Sequence, residues 1–149
     1  LTEAGKELYP VVEALGTWGA RWIPQLGDED LDPHLLLWDI HRNLELGAMP
    51  DGRTVLHFRF TDVRRESARW WIVVASEGVD LCDSDPGHAV TVSVVTSLET
   101  LTRLWRGDIT WAEALRSDLE TEGAQWARRA LPRWLSLSAF AGVPRPARR

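Results

Sequence analysis

A single cysteine, Cys82, means that the chain forms no internal disulfide, and with no second thiol there is no thiolate cluster for zinc. No apolar run approaches the ~18 residues needed to cross a bilayer. The opening LTEAGKELYP lacks the basic-then-apolar order of a secretory signal, so a cytoplasmic location with no membrane partner is expected. Positive charge is short as well: 17 Lys and Arg face 22 Asp and Glu, for a net charge of −5, which opposes whole-surface attraction to nucleic acid. Of those cations only Lys6 is a lysine. There is no Gly-rich phosphate loop, nucleophile elbow or paired-cysteine motif. The chain is therefore read as a non-enzyme with no cofactor.

What is present is a foldable chain. Its 149 residues are 44% apolar and 26% charged, outside the disordered range and long enough to bury a core. Nine Trp against one Tyr and three Phe imply large apolar surfaces, either packed or open to something else.

The pattern along the chain gives elements. Residues 2 to 24 read as a helix with Thr2 as N-cap and apolar positions Leu8, Val11, Val12, Leu15, Trp18, Trp22 and Ile23, bent or divided by Pro10 and stopped by Pro24. After the acidic GDEDLD, Asp32 caps and Pro33 begins a second helix that runs to Leu46 and ends at Gly47. TVLHFRFTD alternates Leu56, Phe58 and Phe60 against His57, Arg59 and Thr61, as a strand with one covered and one wet face would. RWWIVVAS, apolar on both faces, is a central strand joined through Glu77-Gly78 to VDLCDSD. AVTVSVVTS is a fourth strand with Val90, Val92 and Val94 on one face. Helical period returns in SLETLTRLWRG, capped by Ser97 and ended by Gly107, and in TWAEALRS, capped by Thr110. LETEG is a weak, exposed fifth strand, AQWARRALPRWL a last helix kinked at Pro132, and AGVPRPARR a polar tail expected to be disordered.

This order, over residues 31 to 142, resembles the type-two sterol carrier protein domain. The carrying segment is VTVSVVTSLETLTRLWRGDITWAEALRSDLETEG, with its turn on Gly107, its short helix with a buried Ala114-Leu115 pair, and its strand ending at Gly123. The resemblance implies an α/β (α+β) fold whose five-stranded, mostly antiparallel sheet is covered by helices enclosing an apolar lipid tunnel. The fifth strand here is more acidic than that family's usual alternation. LTEAGKELYPVVEALGTWGARW is similar to the segment after the wing in HxlR-type winged-helix transcription regulators, where a long helix ending in Trp-Gly, here Trp18-Gly19, contributes to a homodimer. With no starting Met, the chain is read as the C-terminal part of such a regulator: residues 1–26 the dimerisation helix of the DNA-binding domain, 31–142 a ligand-binding domain, 143–149 a flexible tail. DNA would be met only through a winged helix upstream.

Two sets of residues carry the expected function. A homodimer interface is expected at Leu8, Val11, Leu15, Trp18 and Trp22, whose exposed stripe exceeds what soluble monomers tolerate. A hydrophobic small molecule is expected between sheet and C-terminal helices, against Phe58, Phe60, Val92, Leu101, Trp105, Leu115, Trp126 and Leu131; Trp70, Trp71, Trp111 and Trp134 are further candidates to fill that space. A lipid carrier and an enzyme's accessory domain are the rival readings. His34 and His41, seven residues apart on one helix, lack the spacing of ligand pairs, so no metal site is expected. Residues 28 to 32 read as a helix cap, Arg64-Arg65 and Arg128-Arg129 as solvated charge, His88 as a turn residue, and Cys82 as packing.

Overall fold

The computed structural model describes residues 1–23, 31–144 and 146. Near the N-terminus are α1 (Glu3–Glu7) and α2 (Tyr9–Trp22). They are two helices because Pro10 sits in the first turn of α2, where its missing N–H costs nothing but an unbroken helix could not pass. Thr2 caps α1 by accepting from Gly5 N–H at 3.2 Å. The expected stop at Pro24 and the acidic residues 28 to 30 lie outside the described residues. Asp32 caps α3 (Pro33–Arg42), its Oδ1 accepting from the amides of His34 and Leu35 at 2.7 and 3.2 Å. The helix ends earlier than its apolar spacing predicts, because Leu44 leaves it to bridge Leu135, and Leu46–Ala48 form a separate 3-10 turn.

Five strands follow: β1 (Thr54–Phe60), β2 (Arg69–Ala75), β3 (Gly78–Cys82), β4 (Val92–Thr96) and, later, β5 (Glu120–Gly123). Their order in the sheet is β3-β2-β1-β4-β5; β1 pairs with β4 in parallel and every other pair is antiparallel. The expected fourth strand loses its first residues: Val90 is exposed and precedes β4. Between β4 and β5 lie α4 (Leu98–Trp105) and α5 (Trp111–Ser117), and α6 (Gln125–Trp134) closes the fold. Pro132 falls in the last turn of α6, which continues through it to Trp134.

Alternation sorts the sheet into two faces. Leu56, Phe58 and Phe60 of β1, with Ile72 and Trp70 of β2 and Val92 and Val94 of β4, pack in one cluster with Leu36, Leu37 and Ile40 of α3, Leu98, Leu101 and Leu104 of α4, Ala114, and Ala127, Leu131 and Trp134 of α6. The opposite face is less wet than its sequence implies. Val55, Trp71 and Val73 are buried there with Cys82 against them, and His57 stacks on Trp71 with ring centroids 4.9 Å apart. His57 Nδ1 meets Ser93 Oγ at 3.1 Å, and burial, with Arg69 and Arg59 adding to it, pushes the imidazole pKa below 6.5, toward the neutral ring.

The amino end of α4 draws three distant segments together. Ser97 Oγ accepts from Thr100 N–H; Asp62, just past β1, accepts from Leu98 N–H at 2.7 Å; Asp118, at the end of α5, accepts from Ser97 N–H at 2.8 Å and from the Thr96 hydroxyl. These groups satisfy amides that a helix start leaves without intrahelical partners and place negative charge at its positive end. Partial burial opposes the Asp118 charge, yet the hydrogen bonds from Ser97, Thr100 and Thr96 outweigh it and hold the carboxyl below its ordinary 3.8. A carboxyl depressed in the folded state stabilises fully above its unfolded pKa and less as pH falls through the folded one. Asp62→Ala is expected to cost about 1 kcal/mol in urea unfolding at neutral pH. Asp118→Asn should lower stability at neutral pH and shrink the loss seen in the wild type when pH is taken from 5 to about 2.

Candidate ligand-binding site

The eight residues expected to surround a ligand do not share one cavity. Phe58, Phe60, Val92, Leu101 and Leu131 are at most 3% exposed and pack within the core cluster, so their faces meet other side chains. Leu115 is 53% exposed, not the buried partner of Ala114 that the pattern implies: a seven-residue helix turns one position inward, and Ala114 takes it. Trp126 is 54% exposed because Ala127, Leu131 and Trp134 form the inner face of α6; its ring meets that of Trp134 edge-on at 6.0 Å. Of the other candidate fillers, Trp134 is fully buried and its indole N–H donates to Ala48 O at 2.9 Å, while Trp70 donates to Ser67 O.

Trp105 differs: it shares a small pocket with Leu101, beside Ile40, Leu104 and Trp111, and it also lines a larger one. Half-buried at the end of α4, it lines a cavity of about 330 Å³ that opens on the other side of that helix. Gly16, Gly19, Ala20 and Ile23 of the α2 region form one wall, Asp32, Leu35 and Leu36 a second, Thr102, Trp105 and Arg106 a third, and Ser138 and Phe140 the rim. None of the other seven expected contact residues lines it. The signal for it lay in Gly16, Gly19 and Ala20, three small residues spaced on one helical face; the heavier pattern of Leu and Trp on the same helix drew the reading elsewhere.

Several contacts build this space. Gly107, at φ 75°, takes the left-handed turn that ends α4, and the backbone of Ala141 approaches so closely that a Cβ on Gly107 would meet the Ala141 Cβ at 2.9 Å. Ser138 N–H donates to Trp105 O at 2.8 Å, and Ala141 and Val143 N–H turn back onto Ser138 O and Phe140 O. The start of the proline-rich tail is thus a folded strap, contrary to the disorder expected of it; its later residues 145 and 147–149 lie outside the described set. Phe140 in turn reaches α2: a Cβ built on Gly16 would lie 2.3 Å from its ring, so the ring occupies the space that the glycine leaves. Arg106 ties the far end, its guanidinium donating to Ile23 O at 3.0 Å and lying 3.4 Å from an Asp108 carboxylate oxygen, with both side chains largely buried. Burial lowers the Arg106 pKa.

The other face of α1 and α2 is open. Leu8, Val11, Leu15, Trp18 and Trp22 are each 55–64% exposed, and no residue of either helix is buried. Elsewhere the described residues contain no group of three or more His, Cys, Asp or Glu placed to hold a metal ion. His34 and His41 lie against tryptophans in tilted ring contacts: His34 with Trp70 and Trp38, His41 with Trp38. His88 is exposed in a turn, and Cys82 is half-buried with its thiol pKa raised by burial and by Asp80 and Asp83, which keeps it from being a reactive thiolate. No helix among the described residues is long and apolar enough to cross a membrane.

Set against known proteins, the chain matches no family model and no curated protein. Among solved structures it resembles part of the stereoselective inverting sec-alkylsulfatase Pisa1 from Pseudomonas sp., at 14% identity and a TM-score of 0.54 over 80% of this chain. It spans only 17% of the length of that enzyme. Sterol Carrier Protein 2 Like 2 from Aedes aegypti matches at 18% identity and a TM-score of 0.43, with 66% of this chain and 93% of that one covered. A conserved hypothetical protein of Thermus thermophilus, described as a candidate sterol carrier protein, matches at 13% identity and a TM-score of 0.42, covering 78% of this chain and 96% of that one. The likeness to the alkylsulfatase segment, at 14% identity, speaks for the fold alone, an α+β arrangement of a mixed five-stranded sheet with helices, preceded here by a long N-terminal helical segment.

The two glycines of α2 separate packing from space. Gly16→Ala is expected to push the helix off Phe140 and lower the thermal midpoint, because the ring and helix backbone leave no room for a methyl. A Cβ on Gly19 meets only Ile23 Cδ1, at 3.9 Å, so Gly19→Ala should be neutral or stabilise by ~0.5–1 kcal/mol through helix propensity. Thermal and urea unfolding of both variants check the contrast.

Proposed function

We propose that this chain is a non-enzymatic, cytoplasmic ligand-binding module: a hydrophobic small molecule enters the cavity beside α2, and the same helix pair joins two copies. One observation carries the reading. A single helix, α2, gives its small-residue face to the cavity and leaves its large apolar residues exposed on the other. A ligand wedged against Gly19 and Ala20 acts directly on the element that would dimerise, and it shifts association to the extent that it binds one placement of α2 better than another. That is the behaviour wanted of the effector-binding portion of a transcription regulator, with residues 1–26 as its dimerisation helix and DNA contacted by a winged helix preceding them. The five core residues Phe58, Phe60, Val92, Leu101 and Leu131 then shape the floor under α4 rather than touch the ligand, unless the helices part.

The second reading is an accessory domain within an enzyme. It draws on the likeness to a minor part of an alkylsulfatase chain, where this fold occurs inside a much longer protein. The two differ in association: a regulator's domain dimerises through its own helices, whereas an accessory domain presents that surface to the rest of its enzyme.

Sedimentation decides the first point. At micromolar concentration the chain is expected to be a dimer, and Leu15→Asp with Val11→Asp to be a folded monomer; a wild-type monomer sinks the dimer. Trp fluorescence decides the second, since a ligand beside Trp105 changes that indole's surroundings, and a panel of apolar compounds without spectral effect counts against binding.

A further inference from the structure

We infer that Arg59 and Arg69, side by side on the sheet face opposite the helices, form a receptor for the phosphate monoester group of a small soluble molecule. Neither residue lines the cavity or belongs to the helix pair considered above. The strand register makes the pair. β1 and β2 run antiparallel with Arg59 directly opposite Arg69. Phe60 N–H donates to Ala68 O at 2.8 Å, so the next pair along is hydrogen-bonded. Arg59 and Arg69 therefore hold a non-hydrogen-bonded position, where Cα atoms lie roughly 4.5 Å apart and side chains stand closest. Alternation puts both on the outer face with His57 and Trp71.

Like charges placed directly opposite each other destabilise a sheet. Nothing in the fold relieves this pair: both side chains are exposed, and neither guanidinium makes an ion pair or hydrogen bond among the described residues. Two adjacent guanidiniums offer two forks of N–H donors and two permanent positive charges. That matches a phosphate monoester, with up to two negative charges and three strong acceptor oxygens, better than a singly charged carboxylate.

The surroundings limit the size of the anion. Glu120 and Glu122 lie beyond β4, with Val95 and Ser93 between them and β1, and Asp85 and Glu122 act on His57 in the sense opposite to the two arginines. Negative charge thus borders the pair. An extended polyanion, such as a duplex or an anionic bilayer, would lay phosphates over these carboxylates and against a chain of net charge −5, whereas one compact group meets the guanidiniums alone. His57 reports on the site. Its Nε2 is buried with no hydrogen-bond partner, and the field of both arginines disfavours its protonation; a dianion held between them offsets that field.

The test is calorimetric titration of the full chain with phenyl phosphate and with acetate, at fixed ionic strength and about pH 7.5, where the monoester is a dianion. Phenyl phosphate is expected to bind with a Kd of about 1 mM or tighter, at least about tenfold more tightly than acetate. Arg59→Gln with Arg69→Gln should weaken it by about tenfold or more, whereas Arg64→Gln with Arg65→Gln, which removes the same charge from the turn of the same hairpin, should change it by less than about twofold. In proton NMR, phenyl phosphate should raise the titration midpoint of His57 and leave that of His41 in place. No binding, equal binding of acetate, equal losses in the two double variants or an unmoved His57 overturns the site. Tighter binding to vesicles containing phosphatidic acid than to phenyl phosphate overturns the soluble ligand and makes the face a membrane contact. The comparison with acetate is read on the wild-type chain, so it holds whether or not a variant folds, and no outcome bears on the cavity beside α2.

Discussion

The hydrogen bonds at the amino end of α4 are the constraint on which the rest of the structure depends. Asp62 arrives from the end of β1, Ser97 from the end of β4, and Asp118 from the junction of α5 and β5, and all three spend their oxygens on the amides that begin α4. Because the two carboxylates come from chain positions 36 and 21 residues away from the amides they accept from, closing the cap also fixes the spacing of β1, β4 and β5. It also aims α4. Leu98, Leu101 and Leu104 go down onto the sheet, and the last turn of the helix is carried out to where Trp105 and Arg106 meet α2 and the C-terminal strap.

That placement explains why the cavity sits at a seam between chain ends. Arg106 reaches Ile23, 83 residues away in sequence, and Phe140 reaches Gly16; between them these contacts hold α2 against the sheet domain with no residue of α2 fully buried. A helix docked through glycines and one guanidinium gains little hydrophobic stabilisation there, since most of its apolar surface stays in water. Such an element is easily shifted relative to the sheet.

Much of the sheet domain was legible from sequence because its signals are local. The Glu77-Gly78 hairpin, the caps at Asp32, Ser97 and Thr110, the turn at Gly107 and the acidic edge strand each rest on a few neighbouring residues, and each is where its pattern puts it. The cavity was not legible, because it depends on contacts between segments far apart in the chain. Phe58 and Leu131 carry the same apolar signature whether they face a ligand or each other, and only packing separates the two cases. Leu115 misled for a different reason: on a two-turn helix an apolar residue next to the inward position reads as buried, although its direction differs by roughly 100°. Phe140 stood beside a proline-rich stretch whose composition signals disorder, and its partner was a glycine, a residue with no side chain to suggest a contact.

The acidic fifth strand has a bearing on how copies of this molecule can meet. A sheet edge offers a row of unpaired amides and carbonyls, and it invites another chain to extend the ladder. Here β5 is only four residues long, carries Glu120 and Glu122, and stops at Gly123, whose φ of 127° and close approach to Thr91 take the backbone out of line. At the opposite edge β3 presents Asp80, with Asp83 just beyond it. A second copy adding a strand at either side would bring carboxylates into a ladder with nothing positive on the edge to receive them, so the sheet resists open-ended growth.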